Sequence, residues 1–179
     1  LVDSIRNIAV IGAGTMGQGI AQVCALAGYS IKLYDIQADI TRIALAAIRK
    51  SLDASVVKNK ISSGQKDEAL SRIQVVGDFR LLQVDLAIEA VVEKVEVKHM
   101  ILSELEKING MDCLMVSNTS SFPITQLASV LKHKEIFAGL HFFNPATAMK
   151  LVEIIRGAAA TDLIIEVLDS FVGSLSKSA

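Results

Sequence analysis

The sequence predicts an α/β fold, in which helices cover both faces of a doubly wound, mostly parallel sheet. Three observations support this prediction. Short apolar runs alternate along the chain with segments of helical length and pattern. The early runs are apolar at almost every position, which is typical of parallel strands buried on both faces. The last two runs are joined by a loop too short for a parallel crossover, so we expect that pair to be antiparallel.

The pattern places strands and helices in a regular order. Strands are predicted at 7–12, 30–35, 73–76, 85–91, 113–117, 136–142 and 150–155, and helices near 15–28, 38–60, 94–108 and 124–132. A further helix is predicted to follow Thr161 as its N-cap. Its apolar face consists of Ile164, Leu168, Phe171, Val172 and Leu175. We expect these elements to form one domain over residues 1–179.

Residues 49–72 interrupt this alternation. The segment is too long and too polar for one crossover helix, so it predicts an inserted helical hairpin that turns at Ser62–Ser63–Gly64. The hairpin is locally basic, with six basic residues against three acidic ones: Arg49, Lys50, Lys58, Lys60, Lys66 and Arg72 against Asp53, Asp67 and Glu68.

Composition excludes several classes of function. With 18 basic and 19 acidic residues, the 179-residue chain carries a net charge of −1, which predicts no general attraction to nucleic acid or anionic membranes. Cys24 and Cys113 lie far apart without a CxxC motif, so we expect two core thiols and no metal site. No apolar run is long enough to cross a bilayer, and the N-terminus lacks a signal-peptide pattern. We expect a cytoplasmic protein, although Leu1 in place of methionine leaves a trimmed mitochondrial matrix protein open.

A glycine-rich turn follows the first predicted strand and opens the first helix. The G-x-G-x-x-G spacing provides a tight turn, a close approach of the backbone to a pyrophosphate, and close packing of the helix on the strand. The helix N-terminus presents free N–H groups to the phosphates. The cofactor-binding residues predicted here are Gly12, Gly14, Thr15, Met16 and Gly17.

Asp35 ends the second predicted strand, where a carboxylate binds the adenosine ribose hydroxyls in dinucleotide-binding folds. A 2′-phosphate would meet this carboxylate repulsively, which favours NAD over NADP. Glycines also cluster in ordinary turns, but here strand, loop, helix, strand and acid occur in the expected order. The sequence therefore predicts a Rossmann-type, NAD-binding sheet.

His141 ends an apolar strand, at the position where open α/β sheets bind their ligands. Histidine accepts a proton near neutral pH, and a carboxylate partner would orient its ring. Glu153, an acid within the apolar segment KLVEII, is the candidate partner. Alternatively, His141 is a hydrogen-bonded structural residue and Glu153 lies on a solvated face.

Four more polar residues are candidates for the site, and each of them also has an ordinary structural interpretation. Ser120, in SNTSS after a strand, could bind a substrate oxygen or could cap the next helix. Asn144 precedes Pro145 and fits an ordinary turn. Glu93 fits the first turn of a helix, and Lys98 has the pattern of solvated surface.

These residues together resemble the N-terminal, NAD-binding domain of the L-3-hydroxyacyl-CoA dehydrogenase family, over essentially the whole chain. The resemblance rests on GAGTMGQGIA, IEAVVEKVEVK, SNTSS and above all GLHFFNPATAMKLVEII. It implies that His141 is the general base for the C3 hydroxyl proton and that Glu153 orients it. It also implies that Ser120 hydrogen-bonds the reacting oxygen and approaches the nicotinamide.

The resemblance also implies roles for the remaining candidates. Gly12, Gly14, Gly17 and Asp35 would hold the adenosine diphosphate half of NAD, and Glu93, Lys98 and Asn144 would line the rest of the cleft. The basic hairpin matches the family's arm over coenzyme A, with contacts from Ser51 and Lys58.

The family continues into a helical second domain for substrate binding and dimerisation, which we expect to be absent from this chain. The full-length protein is then expected to be a homodimer that acts on an acyl-CoA. Two alternatives stay open. One is a related sugar-acid 3-dehydrogenase that shares HFFNP, and the other is an NAD-binding module that is inactive without the second domain.

Overall fold

The alternating pattern of the sequence corresponds to a seven-stranded sheet in the computed structural model, which describes residues 5–179. The strands are β1 (Asn7–Ile11), β2 (Ser30–Tyr34), β3 (Ile73–Val75), β4 (Leu86–Glu89), β5 (Leu114–Ser117), β6 (Phe137–Phe142) and β7 (Val152–Ile155). Leu1, on which the interpretation of the N-terminus depends, lies outside the described residues. All seven predicted strands are therefore present, each of them shorter than predicted.

The helices lie between these strands, apart from the last one, which follows β7, as the pattern predicted. They are α1 (Thr15–Leu26), α2 (Ala38–Val57), α3 (Ser63–Ser71), α4 (Val95–Asn109), α5 (Ile124–Leu127) and α6 (Asp162–Ser174). The Thr161 side chain accepts a hydrogen bond from the Ile164 N–H at 3.4 Å, which confirms Thr161 as the N-cap of α6. The helix predicted at 124–132 is wrong in length, because α5 continues only as the 3-10 turn Ala128–Val130.

The strand order is β3-β2-β1-β4-β5-β6-β7, with parallel pairing up to β6. The β6–β7 pair is antiparallel, as the short loop predicted, and its register places His141 opposite Glu153. The order reverses beside β1, which is the arrangement of a doubly wound sheet. The fold prediction is therefore confirmed.

Two apolar layers cover the sheet, one on each face. Successive residues of a strand point to opposite faces, so Val10 belongs to the layer under α1, α2 and α6. Ile11 belongs to the layer under α4 and α5. Both residues are at most 1% exposed, which explains why the central strands are apolar at every position.

The hairpin is present, but its turn lies earlier than predicted. α2 runs without a break to Val57, and residues 58–62 connect it to α3. Ser62 is the N-cap of α3, where its side chain and that of Gln65 form a capping box. Ser63 and Gly64 lie within α3, so the predicted turn at Ser62–Ser63–Gly64 is wrong. The Ser-Ser-Gly sequence favours a turn, but serine is also favoured at the N-cap of a helix, which is the position of Ser62.

Within residues 5–179, no helix is both long and apolar enough to cross a membrane.

Candidate active site

The carboxyl ends of the parallel strands meet at one edge of the sheet, and the loops that leave them carry most of the predicted site residues. The glycine loop follows β1, Glu93 follows β4, Ser120 follows β5 and Asn144 follows β6. The crevice beside the reversal of strand order is where open α/β sheets bind their ligands. The fold therefore brings residues from four separate segments to one place.

Steric contact explains two of the three glycines in the loop. Gly12 has a φ of +99°, and a Cβ there would lie 2.5 Å from the carbonyl oxygen of Ala90. A Cβ at Gly17 would lie 1.7 Å from the carbonyl oxygen of Gly12. Larger residues would therefore push α1 away from β1 and β4. These glycines allow the close packing that the motif predicted.

The third glycine faces open space, which fits a bound phosphate. A Cβ at Gly14 would meet no heavy atom of residues 5–179 within 4 Å, its two chain neighbours apart. α1 begins at Thr15 without a side-chain cap and without an acidic residue in its first turn. Its first N–H groups and the positive end of its dipole are thus available to an anion. Together with Met16, these residues fit the pyrophosphate of a dinucleotide.

Asp35 lies beside this loop, directly after β2. Its carboxylate accepts hydrogen bonds from the N–H groups of Ala13 at 2.9 Å and Gln37 at 3.0 Å. These bonds hold an anionic group at the end of β2, where it suits free ribose hydroxyls and opposes a 2′-phosphate. A carboxylate at this position therefore fits the free ribose hydroxyls of NAD.

His141 and Glu153 form a hydrogen-bonded pair across β6 and β7. The distance from His141 Nδ1 to Glu153 Oε2 is 2.8 Å, and the side chains are 17% and 49% exposed respectively. Since Glu153 accepts at Nδ1, this geometry assigns the proton of a neutral ring to Nδ1 and leaves Nε2 as an acceptor. Phe143 packs against the imidazole, with 4.7 Å between ring centroids. The structure thus brings together the two residues whose contact the sequence left open.

Ser120 is an exposed residue whose backbone is held by a hydrogen bond. Its N–H donates to Glu93 Oε1 at 3.1 Å, and the Thr119 hydroxyl donates to Glu93 Oε2 at 3.0 Å. The N-cap of α5 is Pro123, so the alternative that Ser120 caps this helix is wrong. Glu93 therefore holds the SNTSS loop, and the Ser120 hydroxyl lies 3.3 Å from that of Ser121.

Lys98 is buried, so its interpretation as solvated surface is wrong. It is 1% exposed, and its Nζ lies 2.8 Å from Glu89 Oε1 and 3.5 Å from Glu93 Oε2. The ammonium group therefore lies behind Glu93, and its role toward the cofactor stays a prediction. Sequence reasoning missed Glu89, which is fully buried at the end of β4. An acid that ends the apolar strand LAIE was the available signal.

A cavity of about 140 Å³ lies between α1, the α2 helix of the hairpin and the loop after β6. Its lining includes Thr15 and Gln18 of α1, Ser51 of α2, and Asn144 with Pro145. Ser51 and Asn144 are 93 positions apart in sequence, and only the packing of α2 beside α1 brings them together. Lys58 is exposed at the C-cap of α2 and lies outside this lining.

Sheet order, glycine loop and Asp35 define the class of protein, an NAD-binding domain of the Rossmann type. Residues 7–179 match the family described as "3-hydroxyacyl-CoA dehydrogenase, NAD binding domain". The chain belongs to this family, which confirms the resemblance inferred from the sequence.

Curated relatives and solved structures agree with this assignment. The chain is 42% identical over 174 residues to 3-hydroxybutyryl-CoA dehydrogenase from Bradyrhizobium diazoefficiens, and the match covers 97% of this chain and 59% of that relative. It is 40% identical over 169 residues to 3-hydroxyadipyl-CoA dehydrogenase from Escherichia coli K12, with 94% and 36% covered. The crystal structure of 3-hydroxybutyryl-CoA dehydrogenase from Escherichia coli K12 has a TM-score of 0.96 at 39% identity, with 98% and 37% covered. The chain thus spans less than two thirds of the length of each.

Proposed function

We propose that this chain provides the cofactor-binding and catalytic-histidine domain of an NAD-dependent dehydrogenase that oxidises L-3-hydroxyacyl-CoA to 3-ketoacyl-CoA. The observation that carries the proposal is the His141–Glu153 pair, which lies at the same sheet edge as the glycine loop. The family and the names of the similar dehydrogenases support this choice of reaction.

His141 acts as the general base in this proposal. When bound, NAD supplies the acceptor for the hydride on C3. The Nε2 of His141 takes the proton of the C3 hydroxyl, so that the O–H bond breaks as the carbonyl forms. The ring then carries a positive charge, which the carboxylate of Glu153 stabilises through the 2.8 Å bond to Nδ1. Glu153 also keeps the ring in one orientation, so that Nε2 faces the reacting oxygen.

Ser120 supplies a hydrogen bond to the same oxygen. Its hydroxyl makes one contact with a protein group, at 3.3 Å to the Ser121 hydroxyl, which a ligand oxygen could replace. Because Glu93 fixes the Ser120 backbone, this hydroxyl stays at the cleft without further ordering.

The hairpin offers positive charge for the phosphates of coenzyme A. Lys66 and Arg72 form ion pairs with acids of the hairpin itself. Within residues 5–179, the other four basic side chains of the hairpin form no ion pair: Arg49, Lys50, Lys58 and Lys60. All four are exposed. The net positive charge near Ser51 therefore favours an anionic substrate arm.

The test is the loss of NADH absorbance after acetoacetyl-CoA is added, once fluorescence has shown that the chain binds NADH. His141→Gln should lower the rate by about 10²–10⁴-fold, since it removes a general base, and should change NADH affinity by less than about twofold. His133→Gln, at a partly exposed histidine between α5 and β6, is the matched control and should leave both quantities unchanged.

Two results would contradict the proposal. If His141→Gln abolishes NADH binding, the residue is structural. If the parent chain and the whole protein both bind NADH but consume none with acetoacetyl-CoA, the substrate assignment is wrong. Turnover by the whole protein alone would show that this chain is an inactive cofactor module by itself.

We also infer a homodimer and a cytoplasmic location for the whole protein. The family resemblance supports the first, and the bacterial relatives support the second. Analytical ultracentrifugation of the whole protein and cell fractionation test them, and a single-subunit mass or a membrane-bound fraction would overturn them.

A further inference from the structure

Glu89 is a buried carboxylate that the mechanism does not use. It is 0% exposed and accepts hydrogen bonds from the Val91 N–H at 2.8 Å, the Lys98 ammonium at 2.8 Å and the Ser117 hydroxyl at 2.5 Å. Among residues 5–179, no buried side-chain nitrogen or oxygen lacks a partner. The carboxylate is therefore fully paired, as a charge removed from water must be.

Stability alone does not explain this ion pair. Lys98 and Glu89 are both at most 1% exposed, so desolvation offsets much of their attraction. Apolar residues of similar volume commonly support a fold equally well or better. A network of this kind can instead select one geometry for the groups attached to it. Its contacts lead to the cleft in two directions.

The first direction passes through Lys98. Its Nζ lies 3.5 Å from Glu93 Oε2, and Glu93 in turn accepts from the Thr119 hydroxyl and the Ser120 N–H. A continuous line of charges and hydrogen bonds thus connects the interior of the sheet to the Ser120 loop. Glu93 is 40% exposed, so this line ends at the surface of the cleft.

The second direction passes through Ser117. Its hydroxyl donates to the buried carboxylate and accepts from the Thr119 N–H at 3.3 Å. The next residue, Asn118, accepts from the Phe142 N–H at 2.8 Å through its side-chain oxygen. Phe142 follows His141 directly, so the end of β6 is tied to the same loop.

We propose that Glu89 is a positioning residue, whose buried carboxylate holds the loops after β4 and β5 in the one arrangement that places Glu93 and Ser120 at the cofactor cleft. The inference deepens the proposed function and rests on it for the role of these two groups. Glu89 itself touches neither group directly and acts through Lys98 and Ser117.

The test is Glu89→Gln, which keeps the shape of the side chain and removes its charge. We expect NADH affinity, measured by fluorescence titration, to fall about tenfold, because Glu93 and Ser120 would lose the preorganised positions that lower the entropic cost of binding. In the NADH-free chain, hydrogen exchange should accelerate at the amides of Val91, Thr119 and Ser120, while amides of β2 and β3 keep their protection. Glu104→Gln on the exposed face of α4 is the matched control and should change neither measurement.

Three outcomes would overturn the proposal. A folded Glu89→Gln chain that binds NADH as the parent does would show that the carboxylate only fills the core. Loss of exchange protection throughout the sheet would mean a global structural role. If Glu89→Gln does not fold, Ser117→Ala replaces it, and a folded Ser117→Ala chain with parental NADH affinity and parental exchange at Thr119 would also contradict the proposal. Binding and exchange need no turnover, so a failed acetoacetyl-CoA assay would reject the substrate and leave this test intact.

Discussion

Each glycine of the loop has a different physical role, although the three look equivalent in the motif. Gly17 is required by packing, since the carbonyl oxygen of Gly12 occupies the place of its Cβ. Gly12 needs both space and a φ of +99°. Gly14 needs neither, because its φ is −68° and, its chain neighbours apart, no heavy atom of the described residues lies within 4 Å of a Cβ built there.

This difference predicts that Gly17→Ala affects the stability of the chain, whereas Gly14→Ala affects NADH binding. Gly17→Ala should lower the free energy of unfolding by about 2 kcal/mol or more, because the new methyl group forces α1 away from β1. Gly14→Ala should keep the parental stability and weaken NADH binding, because its methyl group occupies the space in front of the helix N-terminus. Urea unfolding and NADH titration of both variants provide the measurements. Equal stability of the two variants would contradict the steric argument.

The same scale shows what could be predicted for the site. His141 was identifiable because it lies at the end of an apolar strand, and Ser120 because it follows one. The carboxyl ends of parallel strands meet at one edge of the sheet, where ligands bind. Lys98 was misinterpreted and Glu89 was missed, since whether a charged side chain is buried depends on the partner that packs over it. Lys98 meets Glu89 because α4 packs back on β4, which local spacing does not reveal.

Three helices end in the same hydrogen-bonding motif with three different residues. After α1, α2 and α6 the chain turns through a left-handed residue: Gly28, Asn59 and Ser176, with φ values of +100°, +52° and +56°. After α6, the Ser176 N–H donates to the Gly173 carbonyl and the Lys177 N–H donates to the Val172 carbonyl, which is the Schellman pattern. Serine is the least suited of the three to this conformation.

Ser176→Gly should therefore stabilise the chain by about 0.5–1 kcal/mol, since glycine adopts a positive φ without steric strain. Gly28→Ala is the matched opposite and should destabilise it by a similar amount or more. The free energy of unfolding in urea gives both values. A Ser176→Gly chain that unfolds at lower urea than the parent would show that the serine side chain makes a compensating contact.

The two cysteines show how the whole molecule controls reactivity. Cys24 lies in the core layer under α1, and Cys113 lies in the layer on the other face of the sheet. Both are fully buried, and burial raises the pKa of each thiol to about 12. The folded chain thus contains essentially no thiolate at neutral pH, while an unfolded thiol ionises near its ordinary value.

Two consequences follow for the folded chain. Iodoacetamide at pH 8 should leave both cysteines unmodified in the native state and should alkylate both in urea, as mass spectrometry would show.

Above pH 9, the unfolded state loses thiol protons that the native state retains until about pH 12. The unfolded state therefore binds fewer protons, and the free energy of unfolding falls by up to about 1.4 kcal/mol per pH unit for each thiol. Cys24→Ala should make this slope shallower between pH 9 and 11, and an unchanged slope would contradict the argument.

The sequence by itself determined the order of strands and helices, the dinucleotide loop with Asp35, and the candidacy of His141, because these depend on local periodicity and backbone conformation. Only the tertiary structure decided the contact of His141 with Glu153, the cavity shared by Ser51 and Asn144, and the buried Glu89–Lys98 pair. These features join segments distant in sequence, and their geometry depends on strand register and helix packing. A local pattern limits which residues can reach a site, and long-range packing decides which of them meet there.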